Sequence, residues 1–317
     1  MRPRVLAIFF ALMLIAATSG AQPLGSWQQL PPTPTPRTEV AVVNHDGKVY
    51  LIGGFTPNGA TDRVEVFDPA DGTWSERAPL PRALHHTTAV SLNGKIYVVG
   101  GFSSGFWIPV DTTYEYDPKQ DRWREQANLP TARGALAAVV MAVKIHAVGG
   151  ARKKLFRLVN TPAHEAYDPA TDTWEKLADL PTPRDHLTVS VADGVLYAIG
   201  GRINVNYNDN LNVNEAFNPV TGIWQSRAPL PTARSGITSQ TVAGKIYVFG
   251  GESGEGTFDE NEVFIASENR WETRAPMPRA CHGLGSAVVG GKIHLLTGGP
   301  KPGGGGSTFH QVFSPAL

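Results

Sequence analysis

Short apolar runs rich in β-branched and aromatic residues alternate with turn residues along almost the whole chain. Thr87 to Gly101 reads TTAVSLNGKIYVVGG: two runs of period-two character flanking Asn93-Gly94. Such a dipeptide suits a two-residue hairpin, because both central positions need positive φ. Asp46-Gly47, Asp193-Gly194, Ala243-Gly244 and Gly290-Gly291 hold the same place, whereas the third repeat has Met141-Ala142-Val143 there. A third strand is expected at VEVFDP (64–69) or YEYDP (114–118), closed by an Asx-Pro turn, and a fourth at TWSERAPLPR (73–82). The pattern therefore predicts antiparallel sheets of four short strands.

The unit recurs six times. Gly-Gly pairs stand at 53–54, 100–101, 149–150, 200–201, 250–251 and 298–299, and Trp27, Trp74, Trp123, Trp174, Trp224 and Trp271 keep step with them. Arg37, Arg82, Arg133, Arg184, Arg234 and Arg279 form a third series; Glu65, Glu115, Glu165, Glu215, Glu262 and then Gln311 form a fourth. A period of about fifty residues with four strands describes a propeller blade. GKIYVVGG, YEYDPKQDRW and the LP…R spacer closely resemble kelch repeats over residues 22–317. The resemblance implies an all-β, six-bladed kelch β-propeller. Trp27 precedes the first Gly-Gly unit and no tryptophan follows the sixth, so Ser26–Leu30 is expected to complete the last blade, whose inner strands come from about 282–313. That closure would remove an open sheet edge.

Residues 1–21 read as a cleaved secretory signal: Arg2 and Arg4, an apolar run from Val5 to Ala17, then small residues at Ser19 and Ala21. The run is shorter than the roughly 20 residues a membrane span requires, so the expected product is a secreted or periplasmic chain beginning near Gln22. With 28 basic against 28 acidic side chains there is no bulk electrostatic case for nucleic acid. A single cysteine excludes an intrachain disulfide framework and multi-cysteine metal sites. No metal or cofactor is expected, and the chain reads as a monomer.

The tryptophans, the Gly-Gly pairs and Phe67, Tyr116, Tyr167, Phe217, Phe264 and Phe313 read as packing residues. The arginine and acidic series read as ion pairs within or between blades, because a buried unpaired charge is costly. His85, His86, His186 and His282 begin inner strands, and no two have a spacing that makes a metal site evident. Cys281 reads as a small buried thiol.

Strand alternation puts the loops after Gly-Gly and the spacers before the arginines on one face. These loops differ most between repeats. The first has Phe55; the second, Phe102, Phe106 and Trp107; the third, ARKKLFR from Ala151 to Arg157; the fourth alternates asparagine from 204 to 214 around Tyr207; the fifth is acidic; the sixth is a glycine run. Kelch proteins often place ligand residues after Gly-Gly and after the spacer arginine. That resemblance implicates Phe55, Phe102, Arg202, Glu252, Asp185, His186, Ser235 and Glu39, with Trp107, Arg152 and Tyr207 added for their loop chemistry. Two functions are open. One is an interaction module binding a protein or glycan. The other is a sugar mutarotase or epimerase, since the plan is similar to that of sialic-acid mutarotases; Glu252 or His186 would then transfer protons, with Arg202 or Arg152 holding the sugar carboxylate. Copper chemistry of the galactose-oxidase kind is not expected, because Cys281 has no recognisable tyrosine partner.

Overall fold

A computed structural model describes residues 24–103 and 107–316; the expected signal segment, residues 1–21, and Phe106 lie outside them. The described residues form six four-stranded antiparallel sheets. Their innermost strands are Ala41–His45, Thr88–Leu92, Ala137–Met141, Thr188–Ala192, Thr238–Val242 and Gly285–Val289. Each lies beside the next, and the last lies beside the first, so the sheets close into a ring of six blades. Blade 6 is completed by Ser26–Gln29, which pairs antiparallel with His310–Ser314 and sets Trp27 opposite Phe313. Among the described residues no helix is long and apolar enough to cross a membrane.

The hairpin between the two inner strands has positive φ at both central residues in every blade, including Ala142 (φ 50) and Val143 (φ 57). The third repeat thus keeps the turn without a glycine, at the expense of a β-branched residue in a left-handed conformation. Five of the six outer-strand tryptophans, all but Trp74, link neighbouring blades through their indole N–H. The indole N–H of Trp123, Trp174, Trp224, Trp271 and Trp27 donates to the carbonyls of Ala78, Ala127, Ala178, Ala228 and Ala275 respectively, at 2.8–2.9 Å.

Four blades carry the expected buried ion pair: Arg37–Glu65, Arg133–Glu165, Arg184–Glu215 and Arg234–Glu262. Further hydrogen bonds satisfy much of each polar group, as burial demands. Arg184 donates through Nε to Gly200 O at 2.7 Å and through Nη2 to Ala198 O at 2.8 Å, while Thr182 Oγ1 donates to Glu215 Oε1 at 2.8 Å. Two blades depart from the expectation. Arg82 is not buried, and the position four residues before the inner strand is Leu84. The residue that replaces the acid is Tyr114, opposite Val98 as Glu65 is opposite Leu51; Glu115 is one place along and accepts from Tyr97 OH at 2.9 Å. Both charges are absent together, and Leu84 and Tyr114 lie in one apolar cluster. In blade 6 the slot holds Cys281, fully buried as expected, its thiol pushed up to about 12 by burial. Gln311, no longer facing a guanidinium, instead bonds the backbone of Arg279 in both directions.

The sixth Gly-Gly pair also shifts by one residue. Thr297 (φ 61) and Gly298 (φ 99) take the conformations that Gly53 (φ 59) and Gly54 (φ 98) take in blade 1. Gly298 N donates to Arg37 O as Gly54 N donates to Leu84 O. The crowding explains the glycine: a Cβ on Gly54 would come 2.7 Å from Thr38 O.

The deepest constraint lies at the end of the channel where the spacers meet. Glu39, His86, Ala135, His186, Gly236 and Gly283, one per blade, all have φ between 52 and 67. Each donates its N–H to the carbonyl of the equivalent residue in the preceding blade, at 2.7–3.0 Å, and Glu39 donates to Gly283. Six hydrogen bonds thereby form an unbroken circle. Behind it a channel of about 510 Å³ runs between the inner strands.

Two blades replace the second-strand tyrosine (Tyr50, Tyr97, Tyr197, Tyr247) with histidine. His146 Nδ1 lies 3.0 Å from His164 Nε2, and His294 Nδ1 lies 3.0 Å from His310 Nε2. Burial lowers His146, His294 and His310 to about 4 and His164 to about 3.

Two outcomes follow from this architecture. A chain that begins at Pro31 loses the outer strand of blade 6 and exposes the edge of His310–Ser314; it is expected to lose cooperative thermal melting, as followed by circular dichroism. Acid is expected to destabilise the intact chain before its carboxylates protonate. These histidines stay neutral when folded and bind protons near 6.5 when unfolded, so stability falls as pH drops from about 6.5 towards 4. Urea midpoints across that range check this, and a His146→Gln, His294→Gln double variant should show a shallower slope.

Candidate functional site

The circle of left-handed residues presents its side chains around the channel mouth, where a small cavity of about 80 Å³ is lined by Glu39, His86, His186 and the glycines 236 and 283. The residues after each Gly-Gly position lie directly over this ring, since each bridges the residue that precedes a ring residue. Phe55 bridges Thr38, Phe102 bridges His85, Ala151 bridges Gly134, Arg202 bridges Asp185, Glu252 bridges Ser235, and Gly299 bridges His282. The residues expected to line a ligand face therefore lie in two concentric rings of six at one end of the channel.

On the side of blades 4, 5 and 6 the site is a buried polar network. Arg202 is 5% exposed, and its guanidinium donates to Asp185 Oδ1 at 3.2 Å, Glu252 Oε1 at 2.7 Å and His186 Nε2 at 2.7 Å. Because His186 Nε2 accepts from arginine, its proton sits on Nδ1, where it donates to Asp185. Asn160 holds the second oxygen of Asp185. Glu252 Oε2 accepts from Gly303 N at 2.6 Å, and Asn210 Nδ2 donates to Glu252 O at 2.6 Å. Tyr207 lies beneath the Arg202 guanidinium at 5.9 Å.

At the axis, Glu39 reaches towards two histidines of neighbouring blades. Its Oε2 is 3.2 Å from His86 Nε2, and its Oε1 is 3.2 Å from His282 Nδ1. His282 Nδ1 is also 3.5 Å from Glu252 Oε2. Burial works against the Glu39 charge, but its close contacts with His86 and His282 outweigh it and hold the carboxyl well below its usual range. Burial likewise favours neutral His282, and contact with Glu39 together with the charge of Glu252 outweighs it, raising the imidazole. His86 is held well below its usual value by burial. Gly283 leaves room for this arrangement, as a Cβ there would come 2.4 Å from Glu39 Oε1.

On the side of blades 1 and 2 the wall is aromatic. Phe55 stacks on His85 at 3.8 Å, and Trp107 packs against His86 at 4.7 Å and Phe102 at 5.3 Å. Phe102 is fully buried, whereas Phe55 and Trp107 are half-buried, with ring centroids 5.9 Å and 4.7 Å from that of His86.

Of the residues singled out in the sequence, Asp185, His186, Arg202, Glu252, Glu39, Phe55, Phe102, Trp107 and Tyr207 come together around the mouth. Ser235 is buried beside Glu252 in the backbone ladder. Arg152 is not brought in. It is exposed on a projecting hairpin, Ala151–Lys154 with Arg157–Asn160, and Ala151 fills the ring position instead. Sequence spacing does not show Asn160 and Gly303 as partners of the network, nor that Glu39, Glu252 and His282 converge. These contacts cross blades, so no interval along the chain encodes them.

Residues 19–150 match the family described as the KLHDC2/KLHL20/DRC7 Kelch-repeats domain, and residues 183–231 and 233–278 each match the Kelch motif. The Kelch-like ECH-associated protein 1B of Danio rerio is 50% identical over 40 residues, a stretch covering 13% of this chain and 7% of that protein. The solved structure of YjhT superposes with a TM-score of 0.76 at 15% identity, covering 90% of this chain and 96% of that one. That likeness is one of fold. With the repeats matched in both halves and the blades closed into a ring, the chain belongs to the kelch-repeat propeller family.

Proposed function

We propose that this chain is an exported binding module whose channel mouth takes a hydroxyl-rich ligand, the terminal sugar of a neutral glycan. The observation that carries the reading is the convergence, on one face, of polar side chains from five blades beside an aromatic wall. Glu39, His86, His186, Arg202, Glu252 and His282 meet there, yet the equivalent positions of blade 3 are Ala135 and Ala151 and the blade folds the same way. The repeat does not need these groups. An aromatic face such as Trp107 can stack on the apolar side of a sugar, while carboxylates and imidazoles accept and donate to its hydroxyls.

Charge favours a neutral sugar over a carboxylated one. The mouth holds three carboxylates: Asp185 and Glu252 already engage the guanidinium of Arg202, and Glu39 pairs with His86 and His282. A second reading, mutarotation of a carboxylated sugar such as N-acetylneuraminate, would have to hold the carboxylate elsewhere. The exposed Arg152 and Arg157 of the blade 3 hairpin are the candidates it retains.

A glycan array probed with the mature chain tests the proposal. Neutral glycans are expected to bind in preference to sialylated ones, and Trp107→Ala to weaken binding about tenfold, the scale of one aromatic contact. Binding of no glycan, or binding indifferent to Trp107, overturns it. Catalysed anomer exchange of N-acetylneuraminate above the buffer rate would establish the second reading in its place.

A further inference from the structure

We propose that Glu39, Glu252 and His282 form a site for one divalent transition-metal ion at the channel mouth, with coordination positions left open towards solvent. The inference goes beyond the sugar reading and does not depend on it.

Geometry comes first. Ligand atoms about 2.1 Å from a shared ion and about 90–109° apart lie about 3.0–3.4 Å from one another. His282 Nδ1 stands 3.2 Å from Glu39 Oε1 and 3.5 Å from Glu252 Oε2, and the three ligand atoms all fall within 4.8 Å of each other. The group is built from blades 1, 5 and 6, so the closed ring itself sets the spacing.

His282 supplies the second, independent observation. It is 2% exposed, and neither ring nitrogen makes a hydrogen bond to another described residue. Its Nδ1 approaches two carboxylates off the direction a hydrogen bond requires. The imidazole thus stands at ion-pair distance from two carboxylates, with a well-aligned hydrogen bond to neither, and its buried nitrogens lack the partner that burial demands. An ion between the three gives each lone pair a partner.

The surroundings have the character of a metal site's outer shell. Arg202 fixes Glu252 through Oε1, and Gly303 N steadies Oε2, which keeps a further lone pair. His86 holds Glu39 through Oε2 and leaves Oε1 turned to His282. Charge agrees: once an ion displaces the proton from His282 Nδ1, Glu39, Asp185 and Glu252 against Arg202 leave two negative charges for a divalent cation to balance. One imidazole with two carboxylates suits Mn²⁺ or Zn²⁺ better than Mg²⁺ or Ca²⁺, which prefer oxygen alone. The second histidine group, Glu39 with His86 and His186, is a poorer candidate, since both nitrogens of His186 are already engaged.

The test uses the untagged mature chain, stripped with chelator and without any sugar. Titrated with Mn²⁺ and followed by electron paramagnetic resonance, it is expected to bind one ion per chain, with a single imidazole nitrogen coupling in the pulsed spectrum, and to release the ion to Zn²⁺. His282→Ala should abolish the nitrogen coupling and weaken binding at least tenfold while the protein still melts cooperatively. Glu39→Gln, which keeps the shape of the side chain, should weaken binding in the same way. No bound Mn²⁺ or Zn²⁺ at millimolar metal, or binding unchanged in both variants, overturns the proposal. Because no glycan enters the experiment, failure of the sugar reading leaves the result standing.

Discussion

Six backbone hydrogen bonds hold one end of this propeller's channel in place. Each of Glu39, His86, Ala135, His186, Gly236 and Gly283 adopts the left-handed conformation, and each donates to its neighbour, so every link of the circle has both its donor and its acceptor. A buried amide left without a partner costs about 1–3 kcal/mol. Opening any one blade would leave such groups on both sides of the gap. The geometry closes only if six sheets complete the turn, which in turn requires Ser26–Gln29 to finish the sixth. The left-handed conformation has a side-chain consequence. It is unfavourable for residues with a Cβ, yet four of the six positions carry one, and three of those are the polar groups Glu39, His86 and His186.

The buried arginine–glutamate pairs act one level out, within blades. Their distribution illustrates that the charges stand or fall together. In blade 2 both members are replaced by apolar or aromatic residues, Leu84 and Tyr114, which pack in one cluster. In blade 6 the cation is absent and the acid has become neutral Gln311. No described blade keeps one buried charge of this pair without the other, as the cost of an uncompensated buried ion requires. At the mouth, by contrast, Asp185 and Glu252 share one guanidinium, that of Arg202, and a third carboxylate, Glu39, pairs with histidines. Among the described residues the repeat's own buried charges are balanced, whereas the residues at the channel mouth carry more carboxylates than guanidinium groups.

Much of this is legible in the chain, because the repeat's markers report local geometry. Trp74 and its counterparts, the Asn-Gly turns and the aromatic third-strand residues each answer to one strand pair, and the strand order and the closure through Trp27 follow from them. Two markers mislead by proximity. Arg82 and Arg279 sit two residues before the slot, which Leu84 and Cys281 occupy, and Gly299 lies beside the pair formed by Thr297 and Gly298. In both cases residue identity points to one position and strand register to another, and the fold obeys register. The site is legible only in part. Asp185, His186, Arg202 and Glu252 can be placed by their position after Arg184 and after Gly-Gly. The meeting of Glu39 with His282 cannot, because most of the chain lies between them and only ring closure brings them to 3.2 Å.

Amide hydrogen exchange at the six ring residues tests the central claim most directly. If the circle is the element on which the architecture depends, the N–H groups of Glu39, His86, Ala135, His186, Gly236 and Gly283 exchange only through global unfolding, with equal protection that tracks the denaturant-measured stability. Fast or unequal exchange at these amides, while buried strands such as Val195–Ile199 stay protected, would contradict it.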